Sequence, residues 1–508
     1  MPRMTCLIPL LCLLAPTVVL AAEEGGAWGY QQDAIEKLYM QECAACHGDK
    51  LEGGALGSTL IRPELKHGNR LEELIESIAE GFPDQGMPGW RRTLDDSQIQ
   101  RLAMLILELQ AGFTYDGVDP LGVPLEVPIA VQSSEHHRFR LKSVAEGLRH
   151  PFSIAALPDG RILYTEKSVG LSILSADGRE KTLIKGTPRA YDDNTFRGAA
   201  LIGSGWLLEV ALHPDYEKNG WIYLSYGDRC SDCNVMSKST GKPVTMTTLV
   251  RGRIEGGRWL DEQLIWRADT DHYLTGHNQA LGARVAFDDK GHVFFSVGGI
   301  SQEKGIQDLD RPYGKIHRVF DNGRIPPDNP FVGVPGSIRS VWSLGHRNPQ
   351  GLAFDKETGT LWETEHGPRG GDELNQILPG HNYGWPMVSF GMWYDGKPIN
   401  FAEQLGLEYD PKDLTYPVEH WTPSPGISSA VFYDADQFPM WTGNLFVSTL
   451  RKKRLLRLEI ENGKVIHEEV LLDDVGRLRD IEVGPDGDLI LLIEQFHGSH
   501  IVRLSPAR

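Results

Sequence analysis

A chain of 508 residues with 24% charged and 40% hydrophobic residues is long enough for two or more domains and too evenly mixed to be disordered or fibrous. Its formal net charge of −18 argues against nucleic acid and an anionic membrane surface as partners, and is compatible with a small neutral substrate or a basic redox partner without choosing between them. The abundance of turn formers, 56 glycines and 31 prolines, leans toward a turn-rich β protein.

The first 22 residues read as a secretory signal peptide. Arg3 precedes an apolar stretch that ends in small residues, with cleavage expected near Ala21 or Ala22. The apolar run approaches spanning length, but Pro9, Pro16 and the closing Ala-Ala suit cleavage better than an anchor. No second run of that length follows, so the mature protein is expected in the periplasm of a bacterium without stable membrane insertion.

The next stretch, "QECAACHGDK", holds Cys43, Cys46 and His47 in the C-x-x-C-H spacing that attaches a c-type haem covalently. Helices are expected over 31 to about 42, in "NRLEELIESIAEGF" and in "LDDSQIQRLAMLILELQ". In the last of these Ile99, Leu102, Ala103, Ile106 and Leu107 recur on one face, behind a cap from Asp95, Asp96 or Ser97. Three helices around that motif resemble a small class I cytochrome c. The resemblance implies His47 as proximal iron ligand and a loop methionine before the last helix as distal ligand. Met87 in "QGMPGW" stands in that place, with Pro88 stiffening the turn; Met40 and Met104 lie inside helical patterns that packing explains. The haem domain is thus expected over residues 27–111.

Residues 112–138 lose all periodicity and read as a linker rich in Pro and Gly. From 139 to 508 one unit recurs, a strand, an acidic turn with glycine and a second strand. It appears six times, with turn glycines at Gly160, Gly220, Gly291, Gly359, Gly443 and Gly487. Six such hairpins predict a mainly β fold, a six-bladed propeller of four-stranded sheets preceded by the small all-α domain. Chemistry would then gather on loops at one end of the channel. Cys230 and Cys233, in "RCSDCN", lack a second pair to complete four metal ligands, and in an oxidising compartment suit a small disulfide loop.

The stretch from 343 to 386 carries "GHRNPQGLAF", "EHGPRGGDELN" and "NYGWP". In order and spacing these resemble the soluble quinoprotein glucose and aldose sugar dehydrogenases of the glucose/sorbosone dehydrogenase family, from about residue 140 to the end. The resemblance implies pyrroloquinoline quinone (PQQ) and calcium at the channel mouth, an aldose as substrate and a hydride transfer. Arg347 and Asn348, and with them Gln350, match cofactor-contacting positions. So do Arg477 and Arg479 of "GRLRDIEVGPDG". Several guanidinium forks are what a planar tricarboxylate requires. Arg451 replaces the family's cofactor-contacting lysine, with Lys452 beside it. Calcium is implied at the main-chain oxygens of Gly367 and Pro368. Arg347 and calcium would polarise the quinone carbonyl.

The match breaks at the base. The family's histidine lies four residues before the arginine of Gly-x-Arg-hydrophobic, and here Ala280 stands four before Arg284. His277 and His272 are near, and His277 is the expected general base, because this work calls for an imidazole near neutral pH. A family glutamine is also replaced, with Ser204 nearest. The reading is a periplasmic PQQ-dependent sugar dehydrogenase that passes electrons to its own haem and on to an external acceptor. Two alternatives stay open: a sorbosone or other aldehyde dehydrogenase on the same cofactor, and a non-catalytic carbohydrate-binding propeller beside an electron-transfer cytochrome.

Overall fold

Burial of alternating apolar strands and of a striped helix set builds two bodies in the computed structural model, which describes residues 32–61, 65–112, 126–197, 200–275, 282–299, 303–393, 399, 401–495 and 498–507. The expected signal peptide, linker residues 113–125, His277 and Ala280 lie outside the described residues. None of the described helices is long and apolar enough to cross a membrane.

The N-terminal body packs helices α1 (Gln32–Glu42), α2 (Ala44–His47), α3 (Leu71–Glu80) and α4 (Asp96–Gln110) around Ile35, Tyr39, Leu74, Ile78, Ile99, Leu102 and Ile106. Asp95 supplies the cap of α4: its carboxylate accepts from Gln98 N at 2.8 Å while Gln98 Oε1 accepts from Asp95 N. The single apolar stripe expected for α4 proves too narrow a description. Every residue from Leu102 to Glu108 is buried, because a second body covers the face that the stripe leaves polar.

That second body is the expected propeller. Six sheets follow in chain order, with inner strands Pro151–Ala156, Leu207–Leu212, Gly282–Phe287, Pro349–Asp355, Ile427–Phe432 and Arg477–Val483 forming a ring around the channel. The sixth blade is closed by Arg138–Leu148 pairing antiparallel with Ser499–Pro506, so the two ends of the propeller chain share one sheet and leave no open seam. Large apolar side chains fill the spaces between blades: Trp441, Tyr433 and Phe446 are fully buried between the last two. The six turn glycines all have positive φ, which is why each hairpin carries one. Cys230 and Cys233 are joined by a disulfide.

Inside the channel Arg284, 2% exposed, ties the ring together. Its guanidinium donates to Glu209 and Asp480 at 2.8 Å each and to the carbonyls of Gln350 and Arg479, reaching the second, fourth and sixth blades from the third.

Candidate active site

Each inner strand enters from the same face, and each second strand returns to it. The residues just before an inner strand and just after a second strand therefore gather at one mouth of the channel. Arg347 and Asn348 precede the fourth inner strand, and Arg477 and Arg479 open the sixth. The loop 366–371 follows the second strand of the fourth blade, Arg451 that of the fifth, and Lys167 that of the first.

These side chains form one network. Arg347, 4% exposed, lies 5.3 Å from the Trp385 ring and donates through Nη1 to the carbonyls of His366 at 2.9 Å and Gly367 at 3.1 Å. Gln350 donates to Asn348 Oδ1 at 3.1 Å and accepts from Arg479 Nη1 at 3.4 Å. Arg479 in turn clasps Glu494 through Nε at 3.0 Å and Nη2 at 2.6 Å. The other carboxylate oxygen of Glu494 accepts from Lys167 Nζ at 2.8 Å, and Arg477 Nε lies 3.9 Å from the oxygen that Arg479 holds. Burial alone would raise the Glu494 pKa, but Arg479, Lys167 and Arg477 together hold it well below the usual carboxylate range. Lys167 is pushed down to about 8 by burial, against the pull of Glu494.

The backbone beneath the arginine is fixed by a carboxylate. Glu365, 3% exposed, accepts from Arg347 N at 2.5 Å and Asn348 N at 3.0 Å. The same device recurs in the first blade, where Glu166 accepts from Arg149 N at 2.5 Å. The Gly367 loop is held by Asp372, whose carboxylate accepts from Gly367 N, Ser424 Oγ and Ile427 N at 2.7–2.9 Å. Burial raises Asp372 to about 6. A side chain at Gly367 would fall 2.2 Å from the Gly370 carbonyl, so only glycine lets this loop fold back so tightly.

Lys167, Arg347, Arg477 and Arg479 face the channel mouth against Glu494, a surplus of positive charge that fits a polyanionic ligand. The buried Nε2 of His366 has no hydrogen-bond partner, and burial with Arg347 and Arg479 pushes this imidazole down to about 3, so it is a neutral group. The Gly367 carbonyl already accepts from a guanidinium and keeps a second lone pair for a hard cation. Pro368 is buried in the same loop.

Arg451 has an ion-pair partner in the helical body. Its Nη1 lies 3.7 Å from Glu108 of α4, so this cation serves the helical body as well as the mouth. His272 lies on the turn Thr270–His272 and accepts from Arg311 Nη1 at Nδ1, 3.2 Å. Ser204 is bound to Asp193 through both its N–H and its hydroxyl. Gly282, five positions after His277 in the sequence, lies near the Pro349 carbonyl, itself two residues from Arg347.

Lys167, Glu494, His366 and Glu365 escape the reading of motifs alone. A signal for them existed: each stands at or just past the end of a second strand in a repeated hairpin, the position that the "ETEHGP" motif occupies in the fourth blade.

In the helical body a cavity of about 560 Å³ is lined by Cys43, Cys46, His47, Met87, Leu102 and Ile106 among others. His47 Nδ1 lies 2.8 Å from the Ser58 carbonyl, which can only accept, so Nδ1 carries the proton and Nε2 keeps its lone pair for a metal. Met87 is held across the cavity by paired backbone bonds with Phe82. Two thiols, one imidazole nitrogen and one thioether sulfur around one cavity are a donor set that suits a covalently attached haem.

Comparison with known proteins agrees with both bodies. The Glucose / Sorbosone dehydrogenase family matches residues 148–503, and the family Cytochrome C oxidase, cbb3-type, subunit III matches residues 31–106. The aldose sugar dehydrogenase YliI of Escherichia coli (strain K12) is 35% identical over 364 residues, 71% of this chain and 91% of that protein. The apo-form crystal structure of the soluble aldose sugar dehydrogenase from Escherichia coli covers 73% of this chain and 100% of its own, at 33% identity and TM-score 0.63. Cytochrome c55X of Paracoccus denitrificans (strain Pd 1222) is 34% identical over 101 residues, 20% of this chain and 92% of that protein. Sheet order, mouth geometry and these matches together place the chain in the glucose/sorbosone dehydrogenase family, as a member that carries a cytochrome c domain ahead of its propeller.

Proposed function

We propose that this protein is a periplasmic, PQQ-dependent aldose dehydrogenase that delivers electrons to its own covalent haem and from there to an external acceptor. It would be exported by residues 1–22, with the haem domain at 27–111, a linker at 112–138 and the propeller at 139–508. The observation that carries the reading is the cluster of Lys167, Arg477 and Arg479 around a single carboxylate, with Arg347 at the Gly367 loop beside it.

When bound, PQQ supplies a carbonyl that takes a hydride from the anomeric carbon of the sugar. Arg477, Arg479 and Lys167 would hold its carboxylates, and Asn348 and Gln350 would contact it beside Arg347 and Arg479. The carbonyls of Gly367 and Pro368 would hold calcium. Arg347, anchored by Glu365 and lying on Trp385, would offer its guanidinium to developing negative charge. His277 would take the hydroxyl proton of the sugar at an imidazole nitrogen.

Reconstituting the apoprotein with PQQ and calcium, then adding a panel of aldoses and aldehydes while following the ferrous haem band, tests this. Reduction with aldoses supports the reading, and reduction with aldehydes alone turns it into an aldehyde dehydrogenase. Sugar binding without haem reduction leaves a carbohydrate-binding propeller. Reduction with no substrate present refutes sugar oxidation.

A further inference from the structure

Helix α4 has two working faces. Leu102 and Ile106 line the haem cavity. Met104 and Glu108, each offset by two residues or about 200° around the helix, point the other way. Both are 0% exposed, covered by the propeller. Met104 Cε reaches the Gly370 backbone, in the loop that begins at Gly367. Glu108 accepts from Arg369 through both carboxylate oxygens, from Nε at 3.2 Å and Nη2 at 2.7 Å, and Arg369 is 2% exposed. Arg451 Nη1 adds a third cation contact at 3.7 Å. Around this pair Met392, on the short strand that pairs with Arg369–Gly370, packs into the core of the helical body. At the rim Arg70 donates to His420 Nε2 at 3.3 Å.

A fully buried carboxylate inside a cytochrome helix is costly unless paired, and here both partners come from the propeller mouth. Only one helix, about 10–12 Å across, stands between the haem cavity and the Gly367–Gly371 loop. Electron transfer falls off steeply with distance, so the seating of this helix sets the rate.

We propose that Glu108 is the positioning residue for electron transfer within the chain. Its clasp on Arg369 and Arg451 seats the haem domain on the mouth of the propeller. This rests on the dehydrogenase reading above and adds to it the route by which electrons leave. Oxidation of an aldose to its lactone releases two electrons and two protons. The electrons cross α4 one at a time, each reducing ferric to ferrous haem, and an external one-electron acceptor, a c-type cytochrome or ferricyanide, reoxidises the haem between the two. The protons leave to solvent at the mouth.

The test compares wild type, Glu108→Gln and the double variant Glu108→Gln/Arg369→Gln in the full-length holoprotein. Rapid mixing with sugar reads haem reduction, and a small dye that takes electrons at the mouth reads sugar oxidation without the haem. Hydrogen exchange of α4 and of residues 391–392 in the apoprotein reads docking with no cofactor present. Glu108→Gln should slow haem reduction by about tenfold or more, since it takes the carboxylate away from a buried guanidinium. Dye-coupled oxidation and the haem potential should stay as in wild type, and exchange at both segments should rise. The double variant, which removes the fully buried pair and leaves the partly exposed Arg451, should recover much of the rate and protection. Unchanged haem reduction in Glu108→Gln overturns the proposal, and so does an equal loss in both the haem and dye readings. If the wild type oxidises no sugar, the dehydrogenase reading falls, and unchanged exchange in Glu108→Gln then overturns the clasp by itself.

Discussion

Glu494→Gln separates what holds the mouth together from what binds the ligand. Glu494 accepts from Arg479 at 2.6 and 3.0 Å and from Lys167 at 2.8 Å, with Arg477 3.9 Å away. Glutamine keeps one acceptor oxygen and turns an NH₂ toward a cation. Removing one partner of a buried charge cluster costs about 3–5 kcal/mol, a large share of a typical 5–15 kcal/mol stability. Because the folded protein holds the Glu494 pKa below its ordinary value, its contribution is fully present above about pH 4.3 and is lost as pH falls through the lower folded value. Wild type and variant should therefore differ most at neutral pH and converge in strong acid. Ligand binding should move the other way. Two carboxylates sharing one guanidinium stand about 6 Å apart and repel by about 3 kcal/mol at an effective dielectric of 20, which is about a hundredfold in Kd. Urea denaturation of the apoprotein across pH gives the first quantity. Quenching of tryptophan emission during PQQ titration gives the second, since Trp206 lies 5.5 Å from Lys167 and Trp385 5.3 Å from Arg347. A variant as stable as wild type at pH 7, or one that binds PQQ more weakly, would refute the reasoning.

Other expectations follow from the same structure. Arg284→Ala strands Glu209 and Asp480 in the channel and should lower stability by about 3–5 kcal/mol, read as a lower urea midpoint at unchanged slope. Met87→Ala should abolish the methionine-to-iron charge-transfer band and lower the haem potential; survival of the band would reassign the distal ligand. His277→Ala should depress substrate-driven cofactor reduction by about 10²–10⁴-fold while PQQ and calcium still bind. His272→Ala, whose imidazole is occupied by Arg311, should stay near wild type, and the reverse pattern would move the base to His272.

How much of this was legible without coordinates depends on how local each signal is. The haem motif, the cap of α4 and the six hairpins are set by residues a few positions apart, where spacing and turn chemistry leave few choices. The repeat count then implied the propeller, and the closing pairing of 138–148 with 499–506 follows once a ring must shut. Arg347, Asn348, Gln350, Arg477 and Arg479 stood out because they sit in recognisable segments of the chain.

What only the tertiary structure decided is pairing across long chain separations. Lys167 and Glu494 lie 327 residues apart and Glu108 and Arg369 lie 261 apart, and neither stretch of sequence marks its partner. A lone buried charge is prohibitive, and for Lys167, Glu108 and Arg369 folding delivers an opposite charge from another blade or another domain. The stripe on α4 misled for the same reason. A periodic pattern reports the face that packs within its own domain, while the second face of this helix is buried by a propeller whose arrival no periodicity of the helix encodes.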